Sequence, residues 1–161
     1  MIRSALLQTG MCLLLVVLGS GYLKAQGARK MYLSVAGSLG YTTGGGLGIM
    51  VATPDEKTGF RLQLWHAVFD KNGIDKGAVG LFTSSEYHLF PQNIFDPFVS
   101  GGFGLFFYDQ GRGETIGLNP EAGLRIHGER FGWKGSVSYL FDFPNVGARR
   151  VNFNFGVELG I

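Results

Sequence analysis

Three histidines, His66, His88 and His127, are the first side chains in this sequence whose chemistry suits catalysis or metal binding. A neutral imidazole works as a general base near pH 7 and is a common metal ligand. Metal and hydrolase motifs hold such residues at short spacings, as in HxH or HExxH, and neither spacing occurs here. The glycine runs do not form a phosphate-binding motif either. We therefore expect no catalytic residue, no metal site and no cofactor.

A second set of chemically active residues mixes both signs of charge. It contains three bases, four acids and one histidine: Arg61, Glu86, His88, Glu121, Arg125, Lys134, Asp142 and Glu158. These residues fall on the polar side of an alternating pattern, which predicts that they share one face of a sheet. Buried charges are tolerated when they are paired. The balance of signs therefore predicts an internal network with a structural role.

The elements that must position these residues are strands. In the last eleven residues, Val151, Phe153, Phe155, Val157, Leu159 and Ile161 alternate without exception with polar residues or glycine. Similar segments, separated by turn residues, predict strands at about 31–39, 44–52, 59–69, 78–89, 97–108, 116–127, 133–143 and 151–161. Pro120 lacks an N–H group, so the sixth strand is expected to begin near Asn119 or to contain a bulge. Inward glycines are expected to leave room for Phe82 or Phe106. The fold class is all-β, an eight-stranded antiparallel up-and-down barrel.

The first 25 residues have the composition of a cleavable export signal. Arg3 precedes the apolar run from Met11 to Leu18, and Ala25 precedes a plausible cleavage point. The predicted division is a signal peptide at 1–25 and one barrel domain at 26–161. Removing Arg3 and Lys24 leaves 12 basic and 12 acidic residues, which argues against a nucleic-acid partner. The single cysteine, Cys12, leaves with the signal, so the barrel domain has no thiol.

Aromatic residues, 14% of the chain, concentrate near the predicted strand ends. One rim is expected to carry Phe60, Tyr87, Phe90, Phe95, Phe131 and Trp133, and the other Tyr41, Trp65, Phe69, Phe107, Tyr108, Phe141 and Phe143. Two such belts are typical of a membrane barrel, because aromatic rings settle at the lipid headgroups. The alternating apolar face would then meet lipid, while the charged face fills the interior. No segment of the barrel domain is long and apolar enough to predict a spanning helix.

With these features the barrel domain resembles small bacterial outer-membrane β-barrel proteins of the OmpA/OmpX type and the porin-family barrel domains of Bacteroidetes. The segment from Asp96 to Gly104 and the closing segment from Phe153 to Ile161 carry the resemblance. It implies an outer-membrane location, contact with lipid, and recognition of the last strand (Phe153, Phe155, Val157, Leu159 and Ile161) by the barrel-assembly machinery. The family usually ends in an aromatic residue, and this chain ends in Ile161, a departure that bears on assembly efficiency.

Three functions stay open at this point. The first is a non-enzymatic outer-membrane barrel with an envelope-structural role or a place in a larger complex, its lumen closed by paired charges. The second is a soluble periplasmic or secreted calycin-like barrel that binds a small apolar ligand. The third, implied by the resemblance, is a lipid A-modifying enzyme, for which Ser84, Ser85, Glu86 and His88 come nearest to the required Ser–His pair. With the N-terminus in the periplasm, the connections near 40–43, 70–77, 109–115 and 144–150 would face outward, and none is long enough to suggest an adhesin.

Overall fold

The computed structural model describes residues 30–71, 74–108, 114–128, 130–143 and 151–161. Its strands are β1 Lys30–Gly40, β2 Thr42–Ala52, β3 Thr58–Lys71, β4 Ile74–His88, β5 Phe95–Tyr108, β6 Glu114–His127, β7 Phe131–Tyr139, β8 Phe141–Phe143 and β9 Val151–Gly160. Every pairing between them is antiparallel. In this part of the chain no helix is long and apolar enough to cross a membrane. The predicted signal peptide at 1–25 lies outside the described residues.

The segments β7 and β8 are two halves of one strand. Both pair with β6 in a single register, with Glu121 opposite Ser138 and Leu118 opposite Phe141. The ladder is interrupted where that register brings Pro120 opposite Tyr139, because proline has no N–H to donate. On its other side Pro120 pairs with Gly101 of β5. The sixth strand therefore neither begins near Asn119 nor needs a bulge there. The local break leaves the predicted count of eight strands intact.

The sheet closes on itself. Its strands follow the order β5, β4, β3, β2, β1, β9, β7, β6, and β6 pairs back onto β5. A walk across paired residues starts at Lys30 and returns to β1 at Gly40, ten residues farther along. The partners on this walk are Lys30, Ala52, Gly59, Glu86, Ser100, Glu121, Ser138, Asn152 and Gly40. This stagger tilts the strands by about 35–45°. The predicted fold, a closed eight-stranded antiparallel barrel, is confirmed.

One end of the barrel holds the start of β1 and the end of β9, and we call it the termini end. Toward the opposite end, the interior is filled by an apolar cluster of Ala78, Phe82, Phe106 and Leu140. Glycine makes room for it: a Cβ on Gly104 would lie 2.7 Å from Phe82 Cδ2. The prediction that inward glycines accommodate these phenylalanines is therefore confirmed.

Among the described residues, most outward side chains of the strands are apolar. Along β9, Phe153, Phe155 and Leu159 are exposed, while Asn152 and Glu158 are buried. All six aromatic residues predicted for the termini-end rim are exposed, with fractions of 40–62%. The prediction for the other rim is wrong for Tyr41 and Trp65, which pack against the internal apolar cluster. The side chains of Phe69, Tyr108 and Phe143 lie outside the described part of the structure. Trp65 turns inward because β3 places it on the same face as Arg61 and Gln63.

Candidate functional site

The interior of the barrel holds a large group of titratable residues. Among the described residues, seven large side chains have less than 2% of their surface exposed, and five of these are ionisable: Arg125, His88, Glu56, Glu158 and Asp96. A soluble domain buries aliphatic and aromatic side chains and almost never buries charges unless they are paired. The composition of this interior is thus the reverse of a soluble core.

Four residues from four strands form a central cluster in which each charge meets two opposite charges. Arg61 Nη2 lies 2.6 Å from Glu86 Oε1 and 2.6 Å from Glu158 Oε1. Lys134 Nζ lies 2.5 Å from Glu86 Oε2 and 3.2 Å from Glu158 Oε1. Lys134 Nζ also stands 4.1 Å from the centre of the Phe98 ring, a cation–π contact. Two cations and two anions cancel within the cluster, which is the condition for burying them.

A second group lies nearer the termini end, and we call it the mouth cluster: Glu56, Asp96 and Arg125, with Lys30, Tyr32, His88 and His127 around them. Arg125 Nη2 donates to Glu56 Oε2 at 2.9 Å, and Arg125 Nε lies 3.3 Å from Asp96 Oδ2. His88 joins the two clusters, since its Nδ1 lies 2.6 Å from Asp96 and its Nε2 lies 3.3 Å from Glu86. Polar contacts therefore form a continuous chain from the centre of the barrel to its mouth.

Glu56 enters this cluster from outside the strands, in the turn between β2 and β3. Its carboxylate accepts hydrogen bonds from Tyr32 Oη at 2.7 Å and from Lys30 Nζ. Burial raises the pKa of Glu56, but the hydrogen bonds from Lys30, Tyr32 and Arg125 outweigh it and lower the pKa from 4.5 to about 2. The Glu56 carboxylate is therefore negatively charged near neutral pH.

Glu121 and Asp142 differ from the other predicted network residues. The Glu121 carboxylate accepts hydrogen bonds from Ser100 Oγ at 3.0 Å, from Ser136 Oγ, and from Asn154 Nδ2 at 3.4 Å. It lies in the interior, and the partners that the described residues supply to it are hydroxyl and amide groups. Asp142 belongs to β8, and its side chain lies outside the described part of the structure.

A cavity of about 70 Å³ separates the central cluster from the apolar cluster. Arg61, Gln63 and Glu121 line its charged side, and Trp65, Phe82 and Phe106 line its apolar side. Serine and asparagine complete the wall: Ser38, Ser84, Ser138, Asn119, Asn152 and Asn154. Short side chains at this level leave space for a few water molecules.

The structure thus places six predicted residues in one connected network: Arg61, Glu86, His88, Arg125, Lys134 and Glu158. Sequence reasoning missed Glu56 and Asp96. Glu56 stands in a polar turn, where a solvated side chain is expected, and Asp96 precedes Pro97 at the start of β5. The only sequence signal for Asp96 was its place on the inward face, one alternation step before the buried Phe98. His66 points outward and belongs to neither cluster.

No protein-family model matches the chain, and no curated protein matches it in sequence. Solved structures do match. The N-terminal β-barrel domain of Pseudomonas aeruginosa OprF superposes with a TM-score of 0.56 at 17% identity, covering 82% of this chain and 97% of that one. Neisserial surface protein A gives 0.55 at 14% identity, covering 81% and 94%. A structure described as a de novo designed transmembrane β-barrel gives 0.55 at 11%, covering 83% and 94%. The chain therefore has the fold of the small eight-stranded outer-membrane barrels.

Proposed function

We propose that this chain is a non-enzymatic barrel of a bacterial outer membrane whose lumen is closed by ion pairs. Its role is structural in the envelope or as a component of a larger complex. The observation that carries the proposal is the inversion of the fold. Phe153 and Phe155 cover the outside of β9, while Glu158 on the same strand is 1% exposed. In water this arrangement would expose a continuous apolar wall, and hydrocarbon removes that cost.

The height of the apolar wall supports insertion across a bilayer. The apolar alternation on the last strand runs from Val151 to Ile161. Eleven residues rise about 33 Å along a strand, and a tilt of about 40° leaves about 25 Å along the barrel axis. An apolar band of about 25 Å is what outer-membrane barrels present to lipid.

The interior argues against an open pore and against a carrier of apolar ligands. The central cluster and the mouth cluster occupy the lumen on the termini side of the cavity, where a pore would need water. A calycin-like carrier would line its cavity with apolar side chains, whereas this cavity has Arg61, Gln63 and Glu121 on one side. A barrel that neither conducts nor carries fits a structural role.

The arrangement of the histidines argues against a lipid A-modifying enzyme. His88 is held between Asp96 and Glu86 inside the barrel, and His66 points outward. Within the described residues, neither imidazole has a hydrogen bond to a serine. A Ser–His pair at the membrane boundary is what that reaction would need.

The proposed orientation follows from an N-terminus in the periplasm. The termini end, with the connections β2–β3, β4–β5 and β6–β7, would face the periplasm. Residues 1–25 would be removed on export, and the outward face of β9 would be read by the barrel-assembly machinery. Phe153, Phe155, Leu159 and Ile161 are exposed along that strand, and Val157 is half-buried among them.

Two measurements test the proposal together. The first is outer-membrane fractionation with gel mobility before and after boiling. A folded membrane barrel partitions with detergent and changes mobility on heating, whereas recovery in the aqueous fraction would contradict the proposal. The second is conductance in planar bilayers, where the closed lumen predicts no stable channel.

For the enzyme alternative, the His66→Ala and His88→Gln variants should leave lipid A composition unchanged, and altered lipids would support that alternative.

A further inference from the structure

Glu56 is the one described non-glycine residue with a left-handed backbone, at φ 56°. This conformation is unfavourable for a residue with a Cβ and usually falls to glycine or asparagine. The turn around it is well bonded: Glu56 N donates to Thr53 O at 2.9 Å, and Thr53 N donates to Thr58 O at 2.9 Å. Glycine would relieve the backbone here. A glutamate at this position therefore points to a requirement for its side chain.

The side chain reaches across the mouth of the barrel. Glu56 belongs to the turn between β2 and β3, and its partner Arg125 is on β6, three strands away from β3 in the sheet. Lys30 and Tyr32 bind the same carboxylate from β1. Only 2% of the Glu56 side chain is exposed, although turns ordinarily leave their side chains in water. The carboxylate thus ties the turn to strands on different sides of the lumen.

This connection is separable from the central cluster. Arg125 joins Glu56 to the rest of the network by two indirect or long contacts. One is its 3.8 Å contact with Glu158, and the other runs through Asp96 and His88 to Glu86. Contacts within the central cluster are 2.5–3.2 Å and use none of the Glu56 atoms. Along β4, the inward residues run in order His88, Glu86, Ser84 from the termini end, so the mouth cluster and the central cluster lie one after the other.

We propose that the β2–β3 turn is a latch that closes the termini-end mouth of the lumen through Glu56, in series with the central cluster and independently of it. The latch rests on the proposed function, because it closes the lumen of that barrel from the periplasmic side. Releasing it would open the space beside Ala52 and Tyr32 to solvent while the central cluster stayed closed.

Thiol labelling tests the latch directly, since a protein prepared without residues 1–25 contains no cysteine. Ala52→Cys places a reporter at the mouth, where Ala52 is 2% exposed, and Ser84→Cys places one beyond the central cluster. Each reporter is combined with Glu56→Gly, which suits the backbone and removes the carboxylate. The matched control is Lys57→Ala, an exposed neighbour in the same turn. The probe is 2-aminoethyl methanethiosulfonate, added to protein folded in detergent.

The latch predicts that Glu56→Gly accelerates labelling of Ala52→Cys at least about tenfold, because charge-assisted hydrogen bonds are lost. The Lys57→Ala control and the Ser84→Cys reporter should keep their rates. Equal labelling rates for Ala52→Cys with and without Glu56→Gly would overturn the latch, and a matching acceleration at Ser84→Cys would overturn its independence from the central cluster.

Heat-dependent gel mobility confirms that each variant is folded. Should Glu56→Gly not fold, Glu56→Gln takes its place in the same comparison. Absence of the mobility shift in the wild type would instead refute the membrane barrel itself.

Discussion

Arg61 and Glu158 are separated by 97 positions in the sequence, and their side chains meet inside the barrel with 2.6 Å between Nη2 and Oε1. The pair joins β3 to β9, which are not neighbours in the sheet. The inward curvature of the wall across β2 and β1 brings them together. The contact therefore reports both on the fold and on the inward position of the charged face.

Removing Arg61 should destabilise the barrel strongly. In Arg61→Met, Glu86 and Glu158 lose a shared cation while both remain buried. Breaking a buried ion pair on one side costs about 3–5 kcal/mol. Urea unfolding in detergent measures this loss, with Lys57→Met as the control for loss of an exposed cation. A loss below about 1 kcal/mol would show that these charges reach water.

A double-mutant cycle isolates the pair. Arg61→Met and Glu158→Gln together should cost less than the sum of the two single variants, because the second change removes a charge that the first left unpaired. Residues in direct contact show coupling energies of about 0.5–3 kcal/mol. The same unfolding experiment on four proteins supplies the value, and strict additivity would refute the contact.

Two of the three glycines on β5, Gly104 and Gly101, should respond differently to substitution by alanine. A Cβ on Gly104 would meet Phe82 and Phe106 at 2.7 and 2.9 Å, so Gly104→Ala should destabilise by about 1–3 kcal/mol. Gly101 points outward with nothing within 4 Å, so Gly101→Ala should be neutral or slightly stabilising. Adding Phe82→Leu to Gly104→Ala should recover part of the loss. Equal effects at the two positions would contradict the assignment of faces.

Arginine substitutions can show how deep in the bilayer a position on the outer wall lies. Leu47, in the middle of β2, is 62% exposed, and Phe131, the first residue of β7, is 59% exposed. In a bilayer Leu47→Arg should cost about 2–4 kcal/mol and Phe131→Arg about 0–1 kcal/mol, because the cost falls from the midplane to the interface. Unfolding from lipid vesicles gives both values. Similar small effects at the two sites would indicate a wall that faces water.

Lowering the pH should remove the contribution of the Glu56 carboxylate to the free energy of unfolding. Its folded pKa, about 2, lies below the ordinary 4.5, so its stabilisation is complete above pH 4.5 and is lost as the pH falls through about 2. The difference in unfolding free energy between wild type and Glu56→Gln should therefore shrink between pH 5 and pH 2. Lys30, Tyr32, Arg125 and His127 are the titratable side chains that face this carboxylate. A difference that stays constant would refute the role of the carboxylate.

Local alternation was enough to predict the strands. The eleven-residue pattern at 151–161 defines the outward and inward faces of β9, and Pro120 marked the site where the ladder to the seventh strand breaks. Partners within the lumen depend on the stagger of the closed sheet, which no local pattern contains. The prediction therefore placed Arg61 and Glu158 on the inward face without pairing them. Glu56 could not be predicted because a turn has no alternating pattern. Trp65 shows that the register of a strand, and not the aromatic character of a residue, decides which face its side chain takes.

The two tryptophans of the chain offer the most direct test of the inverted fold, because Trp133 points outward and Trp65 points inward. The Trp65→Phe and Trp133→Phe variants, each reconstituted into vesicles of lipid brominated on the acyl chains, report one side chain at a time. We predict strong quenching of Trp133 fluorescence and little quenching of Trp65. Equal quenching of both, or quenching of neither, would contradict a barrel that turns its apolar wall to lipid and its charges inward.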